Sequence, residues 1–210
     1  MIDIYVLYGP PASGKGTISK KLPDEHCIGT GALLRSKNMG LTGDLITDDY
    51  VNQLITDELK TRKGYVILDG YPRTEAQADY LLNLKGVRIK QVYELTCPDS
   101  ELKERLSKRQ TCACGGTYHP TLKPSKKKGI CDLCGQKLFR RKDDAPEIVE
   151  KRLLQYHQMT KPILAKFGEL VKKVDVSQDF KVSVLSIVNE ITHVQKKKTC
   201  LKNSTSRQYE

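Results

Sequence analysis

The sequence predicts an α/β fold in which a parallel β-sheet is flanked by helices. Apolar, β-rich runs alternate with segments of helical periodicity, and the first run, Ile2–Tyr8, leads through a glycine-rich loop into a helix that begins near Gly14. Strands that alternate with helices pair in parallel, because a crossover helix returns the chain to the same end of the sheet. At 210 residues the chain is expected to form one main domain, with a small insertion at 110–144 where the alternation stops.

Further strands and helices follow this first pair in alternation. Strands are predicted where apolar and β-branched residues cluster, at 65–68, 87–95 and 171–176. The spacing of apolar residues predicts helices at 32–37, 49–60, 75–84, 100–109, 147–167 and 180–192. Ser100 is expected to cap the fourth of these helices, because a serine hydroxyl accepts a hydrogen bond from the first helical turn.

The excess of basic residues is partly concentrated at the C-terminal end. The formal net charge is +11, and residues 196–210 hold five basic residues against one acidic residue. Such a terminus is typical of a solvated tail, so we predict that 196–210 is disordered and does not bind nucleic acid. The sequence shows no apolar run of the roughly 18 residues that a membrane span needs, and no export signal. We therefore expect a cytoplasmic protein without membrane or nucleic-acid partners.

Four of the seven cysteines lie in the insertion and have the spacing of metal ligands. They are Cys112, Cys114, Cys131 and Cys134, two pairs separated by sixteen residues. In a reduced compartment such a cluster indicates zinc, and the second pair with Gly135 behind it has the form of half a zinc knuckle. The sequence therefore predicts a structural Zn²⁺. The alternative is four reduced thiols in a segment held together by packing alone.

A phosphate-binding loop is predicted between the first strand and the first helix. Residues 9–17 read Gly-Pro-Pro-Ala-Ser-Gly-Lys-Gly-Thr, with Lys15 between Gly14 and Gly16 and with Thr17 next. Backbone N–H groups at a helix N-terminus attract an anion, and a lysine at this position adds a point charge for the β- and γ-phosphates of a nucleotide. Asp69, at the end of the second predicted strand, is the acid expected to hold the water ligands of Mg²⁺.

Motifs along the chain resemble those of the adenylate kinases. In the order and near the spacing of that family they are Gly14-Lys15-Gly16-Thr17, then Thr30-Gly31 leading to Arg35, then Asp69-Gly70-Tyr71-Pro72-Arg73-Thr74 followed by Gln77, and then Arg140-Arg141-Lys142-Asp143-Asp144. The resemblance extends from Ile2 to about Ile191. It implies a P-loop kinase core at 1–28, 59–107 and 145–195, a helical AMP-binding flap at 29–58, and a small zinc-ribbon-like lid at 108–144, before the basic tail at 196–210.

The resemblance also implies roles for individual residues. The catalytic residues would be Lys15, Arg73, Arg109, Arg141 and Arg152. ATP would be bound by Gly14, Lys15, Gly16, Thr17, Arg105, Arg109, Thr117, Tyr118 and Gln178, with Arg105 flat on the adenine. AMP would be bound by Thr30, Gly31, Arg35, Gly70, Arg73, Gln77, Arg141 and Arg152. Arginine suits these positions because its planar fork matches phosphate oxygens in pairs.

Three further expectations follow from comparison with the family pattern. The Gln77 amide is expected to pair with the N1 and 6-amino edge of adenine, with the Thr30 hydroxyl as a second contact to the base. Tyr71 stands where phenylalanine is common, an exchange that a half-exposed ring tolerates. In zinc-bearing relatives the first ligand would fall at Thr111, so Cys112 is displaced by one residue, and His119 is an alternative ligand.

The function implied by the resemblance is reversible, Mg²⁺-dependent transfer of the terminal phosphoryl group of ATP to AMP, giving two ADP. ATP, AMP and ADP would then be its partners, and a monomer is expected. One alternative is a kinase for another monophosphate, such as UMP or CMP, against which Gln77 and the long lid both argue. The other is a zinc-ribbon nucleic-acid-binding protein, for which only the net charge and the clustered cysteines speak.

Overall fold

A computed structural model describes residues 1–37 and 46–205, and it describes the side chains of these residues except those of Arg35 and 194–205. The strands are β1 (Ile2–Tyr8), β2 (Cys27–Gly29), β3 (Tyr65–Asp69), β4 (Val87–Thr96), β5 (Gln110–Thr111), β6 (Thr117–Tyr118) and β7 (Val171–Asp175). The α-helices are α1 (Lys15–Ser19), α2 (Thr30–Ser36), α3 (Asp48–Lys60), α4 (Glu75–Asn83), α5 (Asp99–Ser107), α6 (Pro146–Gln155) and α7 (Phe180–Thr205).

Five of these strands form one parallel sheet in the order β2-β3-β1-β4-β7, which confirms the predicted fold class. Alternate residues of β1 enter opposite faces. Ile4 and Val6 pack into one apolar cluster, whereas Tyr5 and Leu7 pack into the other. Burial on both faces explains why β1 reads as a continuous apolar run, which is the pattern of a central strand in a parallel sheet.

The predicted strands agree with the structure to within one residue at each end, and the helices differ more. The strand β2 was not predicted, because three residues are too few to show a period. Ser100 is not the cap of α5, which begins at Asp99 with Pro98 at the N-cap. The helix predicted at 147–167 is not one α-helix. After α6 come a π-helical turn, Tyr156–Thr160, and a 3₁₀ segment, Lys161–Leu170. Pro162 cannot donate to the carbonyl of residue 158, which disfavours a regular α-helix there.

The C-terminal helix also differs from the prediction. α7 continues to Thr205, through residues 196–205 that were expected to belong to a disordered tail, while 206–210 lie outside the described residues. Lysine is a good helix former, so the run of three lysines at 196–198 extends a helix that has already begun. Among the described helices, none combines the length and the apolar character needed to cross a membrane.

The predicted lid folds as a small unit with short strands. β5 and β6 pair antiparallel, and isolated bridges join Thr111 to Phe139 and Ile130 to Lys137. Its apolar centre consists of Cys112, Tyr118 and Cys131, with Leu138 packed against them. A core of this size supplies little burial, so cross-linking by a metal would contribute much of the stability of this segment.

Candidate active site

A cavity of about 730 Å³ lies at the carboxyl ends of β1 and β3. The two strands end at the same level, since Leu7 pairs with Asp69, and ligands bind at this edge in open parallel sheets. The predicted site residues that line the cavity are Gly14, Lys15, Gly16, Thr17, Gly31, Asp69, Gly70, Arg73, Arg105, Arg109, Thr117, Tyr118, Arg141 and Arg152. Folding therefore brings together residues that are spread over more than half of the chain.

The phosphate loop depends on glycine at its last turn before α1. Gly14 is the N-cap of α1 and has φ 104°, a conformation that side chains rarely adopt. A Cβ at this position would lie 2.5 Å from Cε2 of Phe180. The loop can therefore hold its shape against the start of α7 only with glycine at position 14.

Lys15 is held by the loop that it follows. Its Nζ donates to the carbonyl oxygens of Gly9 at 2.7 Å and Pro10 at 2.9 Å. Burial lowers the pKa of the Lys15 ammonium from 10.5 to about 8, the Asp69 carboxylate opposes this shift, and nearby arginines add to it. An ammonium surrounded by cations and removed from water favours the arrival of a polyanion, because added negative charge stabilises its protonated form.

Asp69 is the last residue of β3 and faces the phosphate loop. A Cβ built on Gly16 would lie 3.9 Å from Asp69 Oδ2. The carboxylate therefore stands beside the first turn of α1, where it can hold the hydration shell of a divalent cation bound to nucleotide phosphates.

Two arginines at the cavity are oriented by acids at the end of the segment predicted as the lid. Arg109 forms a two-pronged ion pair with Asp144, with Nε 2.8 Å from Oδ2 and Nη2 bonded to Oδ1. Nη1 of Arg152 lies 3.0 Å from Asp143 Oδ2 and 3.7 Å from Asp144 Oδ1. Burial lowers the pKa of Arg152, and the charge of Asp143 opposes the shift. Asp143 and Asp144 belong to a motif of the family resemblance, but the resemblance implies no role for either acid.

Arg105 is fixed before any ligand arrives. Its Nη2 donates to Glu101 Oε1 at 2.6 Å and to the carbonyl oxygen of Val176 at 2.5 Å. Its guanidinium carbon lies 5.1 Å from the centre of the Phe180 ring, within cation–π range. The Phe180 ring, which leaves no room for a side chain at Gly14, also lines the cavity. It was not predicted as a site residue.

The four predicted zinc ligands come together in the lid. Their sulfur atoms all lie within 4.8 Å of one another, and the Cys112–Cys134 and Cys114–Cys131 pairs are 3.4 Å and 3.5 Å apart. A tetrahedral zinc with Zn–S bonds near 2.3 Å needs sulfur separations of about 3.8 Å, so the cluster fits the ion with small adjustments. Gly115 and Gly135, each directly after the second cysteine of a pair, have φ values of 86° and 71°, which allow the two matching turns.

The fourth member of the sulfur cluster is Cys112. Thr111 and His119, the two alternatives, lie elsewhere in hydrogen bonds of their own. Thr111 is in β5, where its N–H and carbonyl both bond to Phe139 at 2.8 Å. His119 Nδ1 accepts hydrogen bonds from the backbone N–H groups of Thr121 and Leu122. The four sulfur atoms therefore form the group of possible ligands, and neither Thr111 nor His119 belongs to it.

Comparison with known proteins shows the family of the chain. A family model of adenylate kinases matches residues 7–172. The chain belongs to the adenylate kinase family. An adenylate kinase of Methanosarcina barkeri is 39% identical over 215 residues, covering 91% of this chain and 98% of that relative. One of Methanosarcina mazei is 38% identical over 200 residues, covering 84% and 93%, and one of Lachnospira eligens is 36% identical over 197 residues, covering 82% and 92%. As a member of this family the chain is a phosphotransferase that acts on nucleoside monophosphates.

Some residues that the family resemblance assigned to substrate do not line the cavity. Gln178 is exposed in the loop between β7 and α7, and the side chain of Arg35 lies outside the described residues. Thr30 is 3% exposed, and its hydroxyl has no hydrogen-bond partner within the described ranges. Gln77 is buried, with Nε2 2.7 Å from Asp48 Oδ1 and Oε1 2.8 Å from the N–H of Arg73.

Tyr71 corrects a local expectation. Its ring is 1% exposed rather than half-exposed, and its hydroxyl donates to Asn52 Oδ1 at 2.6 Å. The tyrosine is therefore accommodated by a second polar residue, the buried Asn52 of α3, and not by solvent. Burial raises the pKa of Tyr71, so the hydroxyl remains a donor.

Two further residues that line the cavity, His119 and Lys20, were not predicted to lie there. His119 lines the cavity, burial lowers its pKa, and within the described part of the chain its Nε2 has no hydrogen-bond partner. Lys20, directly after α1, donates to the carbonyl oxygen of Gly115, so the core touches the turn that carries Cys114. A basic residue outside the phosphate-loop motif gives no sequence signal for such a contact.

Proposed function

We propose that this chain catalyses the reversible transfer of the terminal phosphoryl group of ATP to AMP, giving two ADP. One observation carries the proposal: Lys15, Arg73, Arg109, Arg141 and Arg152 line a single cavity at the phosphate loop. Phosphoryl transfer needs little covalent help from a protein. It is accelerated mainly by positioning the two phosphates and by stabilising the charge that spreads over the transferring group.

The ATP side of the cavity is formed by the phosphate loop, α5 and the lid. Gly14, Gly16 and Thr17 would present backbone N–H groups to the phosphates, and Lys15 would exchange its carbonyl partners for phosphate oxygens. Arg105, already held over Phe180, would offer its free face to the adenine, while Thr117 and Tyr118, which also line the cavity, would complete the nucleotide site. Mg²⁺ bound with ATP would neutralise phosphate charge, and Asp69 would hold its water ligands.

The AMP side is formed by the loop after β3 together with α2 and α6. Nε of Arg73 donates to the carbonyl oxygen of Gly70 at 2.8 Å, which sets the direction of the guanidinium. A Cβ on Gly70 would lie 2.9 Å from Arg73 Nη2, so glycine makes room for the arginine. Arg73, Arg35 and Gly31 would bind the AMP phosphate, with Arg141 and Arg152 between the two nucleotides.

No general base is required in this reaction. The acceptor is a phosphate oxygen that is already ionised, so the protein has to bring it in line with the donor phosphorus and exclude water from the attack. The hydrogen bond from Lys20 to the carbonyl oxygen of Gly115 joins the core to the segment that we propose as the lid, and such a contact supports closure of that segment over the site. The Asp144 carboxylate would keep Arg109 and Arg152 in place throughout.

The choice of acceptor provides the test. ADP formation should be measured with ATP as donor and with AMP, UMP, CMP or GMP as acceptor, and kcat/KM should favour AMP by at least 100-fold, as sites that hydrogen-bond a substrate reject analogues strongly. Comparable use of UMP or CMP would contradict the AMP assignment. The Gln77 amide supports a site that reads the base, because it keeps one N–H and one oxygen lone pair beyond its bonds to Asp48 and Arg73.

We also propose that Cys112, Cys114, Cys131 and Cys134 hold a structural Zn²⁺. Thiolate ligands favour zinc over Mg²⁺, and four protein ligands leave no open position for chemistry. Purified protein should contain about one equivalent of zinc. Cys112→Ala should lower this content and the melting temperature, whereas His119→Ala should keep the zinc. Full zinc content in Cys112→Ala would contradict the ligand set.

A cytoplasmic monomer is the setting that we propose for this activity. None of the six cysteines whose side chains are described forms a disulfide, as expected in a reducing compartment. Size-exclusion chromatography with light scattering should give the mass of a single chain, 23.7 kDa.

A further inference from the structure

The most constrained polar group near the AMP side is the Gln77 side-chain amide. Gln77 is 5% exposed and lies in the first turn of α4. Its Nε2 donates to Asp48 Oδ1 at 2.7 Å, and its Oε1 accepts from the backbone N–H of Arg73 at 2.8 Å. Asp48 is the first residue of α3, so the amide joins the flap to the loop after β3.

The chemistry of the two partners allows one orientation of this amide. A carboxylate can only accept hydrogen bonds and a backbone N–H can only donate one. Rotation of the amide by 180° would place Oε1 against the Asp48 carboxylate and Nε2 against the Arg73 N–H, which are two repulsive contacts. The second Asp48 oxygen, Oδ2, accepts from Thr74 Oγ1 at 2.8 Å, and Thr74 Oγ1 accepts from the N–H of Gln77 at 3.2 Å. The carboxylate is therefore itself fixed.

A clamped amide can distinguish two purines that differ at position 6. After its bonds to Asp48 and Arg73, Gln77 keeps one N–H and one oxygen lone pair. Adenine offers a matching pair, with the N1 acceptor beside the 6-amino donor. A 6-oxopurine offers the reverse pair, an N1–H donor beside an O6 acceptor, and it would be read equally well by an amide that could rotate.

We infer that Asp48 is a positioning residue for base selection, which fixes the Gln77 amide so that it reads a 6-aminopurine and rejects a 6-oxopurine. The inference rests on the proposed contact of Gln77 with the base of AMP. Asp48 does not touch the substrate in this account. It acts by removing the rotated state of Gln77, and Arg73 N–H adds to the same constraint.

The test compares AMP with IMP as phosphoryl acceptors in the Asp48→Ala enzyme. The ratio of kcat/KM for AMP to that for IMP should fall about tenfold, the factor expected when one buried polar mismatch is relieved. Both acceptors are measured on the same sample, so the ratio does not depend on how much of the variant is folded. Asp48→Asn should lower the ratio in the same direction, because its side-chain amide can donate as well as accept and no longer excludes the rotated Gln77 amide.

Asp49→Ala is the matched control. Asp49 is also an acid in the first turn of α3, and it is exposed, so its removal changes the net charge and the helix terminus equally. Its ratio should remain that of the unaltered enzyme. A ratio in Asp48→Ala equal to that in Asp49→Ala would overturn the clamp.

Gln77→Ala separates failure of the clamp from failure of the base contact. If Gln77 reads the base, Gln77→Ala should reduce the AMP to IMP ratio at least as much as Asp48→Ala does. A reduced ratio in Gln77→Ala with an unchanged ratio in Asp48→Ala would refute the clamp and leave the base contact in place. An unchanged ratio in Gln77→Ala would refute both.

Discussion

Removal of the Asp144 carboxylate should damage both the stability and the chemistry of this enzyme. The Asp144 side chain is 0% exposed and pairs with Arg109, whose side chain is 13% exposed. Asp144→Ala leaves the Arg109 charge buried without its main partner, which typically costs about 3–5 kcal/mol of unfolding free energy. For a chain of this size that corresponds to a melting temperature lower by roughly 6–20 °C.

The same substitution should slow phosphoryl transfer. Asp144 holds Arg109 by two hydrogen bonds and lies 3.7 Å from Arg152. Asp144→Ala therefore removes the carboxylate that orients both of these cations, which are proposed to surround the transferring group. A misplacement of about 1 Å can lower a rate about 100-fold, and we expect kcat to fall by about that factor. Because substrate contacts elsewhere are unchanged, KM for both nucleotides should change less than kcat.

Asp143→Ala is the matched comparison for this experiment. Its side chain is 48% exposed and pairs with Arg152 at 3.0 Å, an ion pair of a kind that contributes about 0–1 kcal/mol. Thermal melting and steady-state ADP formation should therefore show a small loss for Asp143→Ala and a large one for Asp144→Ala. Equal losses in melting temperature and in kcat for the two variants would refute the argument from burial.

Four further outcomes are expected. Lys15→Met should fold, as circular dichroism would show, but lose at least about 100-fold in kcat, and turnover like that of the unaltered enzyme would refute the phosphate-loop assignment. Because burial lowers the pKa of Lys15 to about 8, kcat/KM for ATP should fall above that pH in a pH–rate profile, whereas an unchanged rate to pH 9 would contradict a catalytic ammonium. The contribution of Lys15 to the free energy of unfolding should instead rise as the pH increases from 8 to 10.5. In this range Lys15 is protonated in the unfolded chain and largely neutral in the folded one. Arg73→Ala should raise KM for AMP about 10- to 100-fold with little change for ATP, and equal changes would show that the two sites have been exchanged.

The phosphate loop and the core sheet could be predicted from sequence because their signals are local. A buried strand, a glycine-rich turn and a helix start occur within residues 2–19, and each is a property of neighbouring residues. The strand β2 and the mixed helical segment at 146–170 could not be predicted to the residue. Three residues carry no period, and the choice between α, π and 3₁₀ turns depends on packing around Pro162 and Gly168.

Some features of the candidate site could likewise be predicted from the sequence, and others could not. The cationic residues, the loop expected to bind phosphate and the ligand-like spacing of the four cysteines can all be read from the order of residues along the chain. Three features appear only in the folded chain: Cys112 lies in the sulfur cluster, Tyr71 is buried against Asn52, and Asp144 and Asp48 bond to Arg109 and Gln77. The physical reason is distance along the chain. Partners such as Asp48 and Gln77 or Arg109 and Asp144 are separated by about thirty residues, and a hydrogen bond between them exists only once the fold has closed that gap.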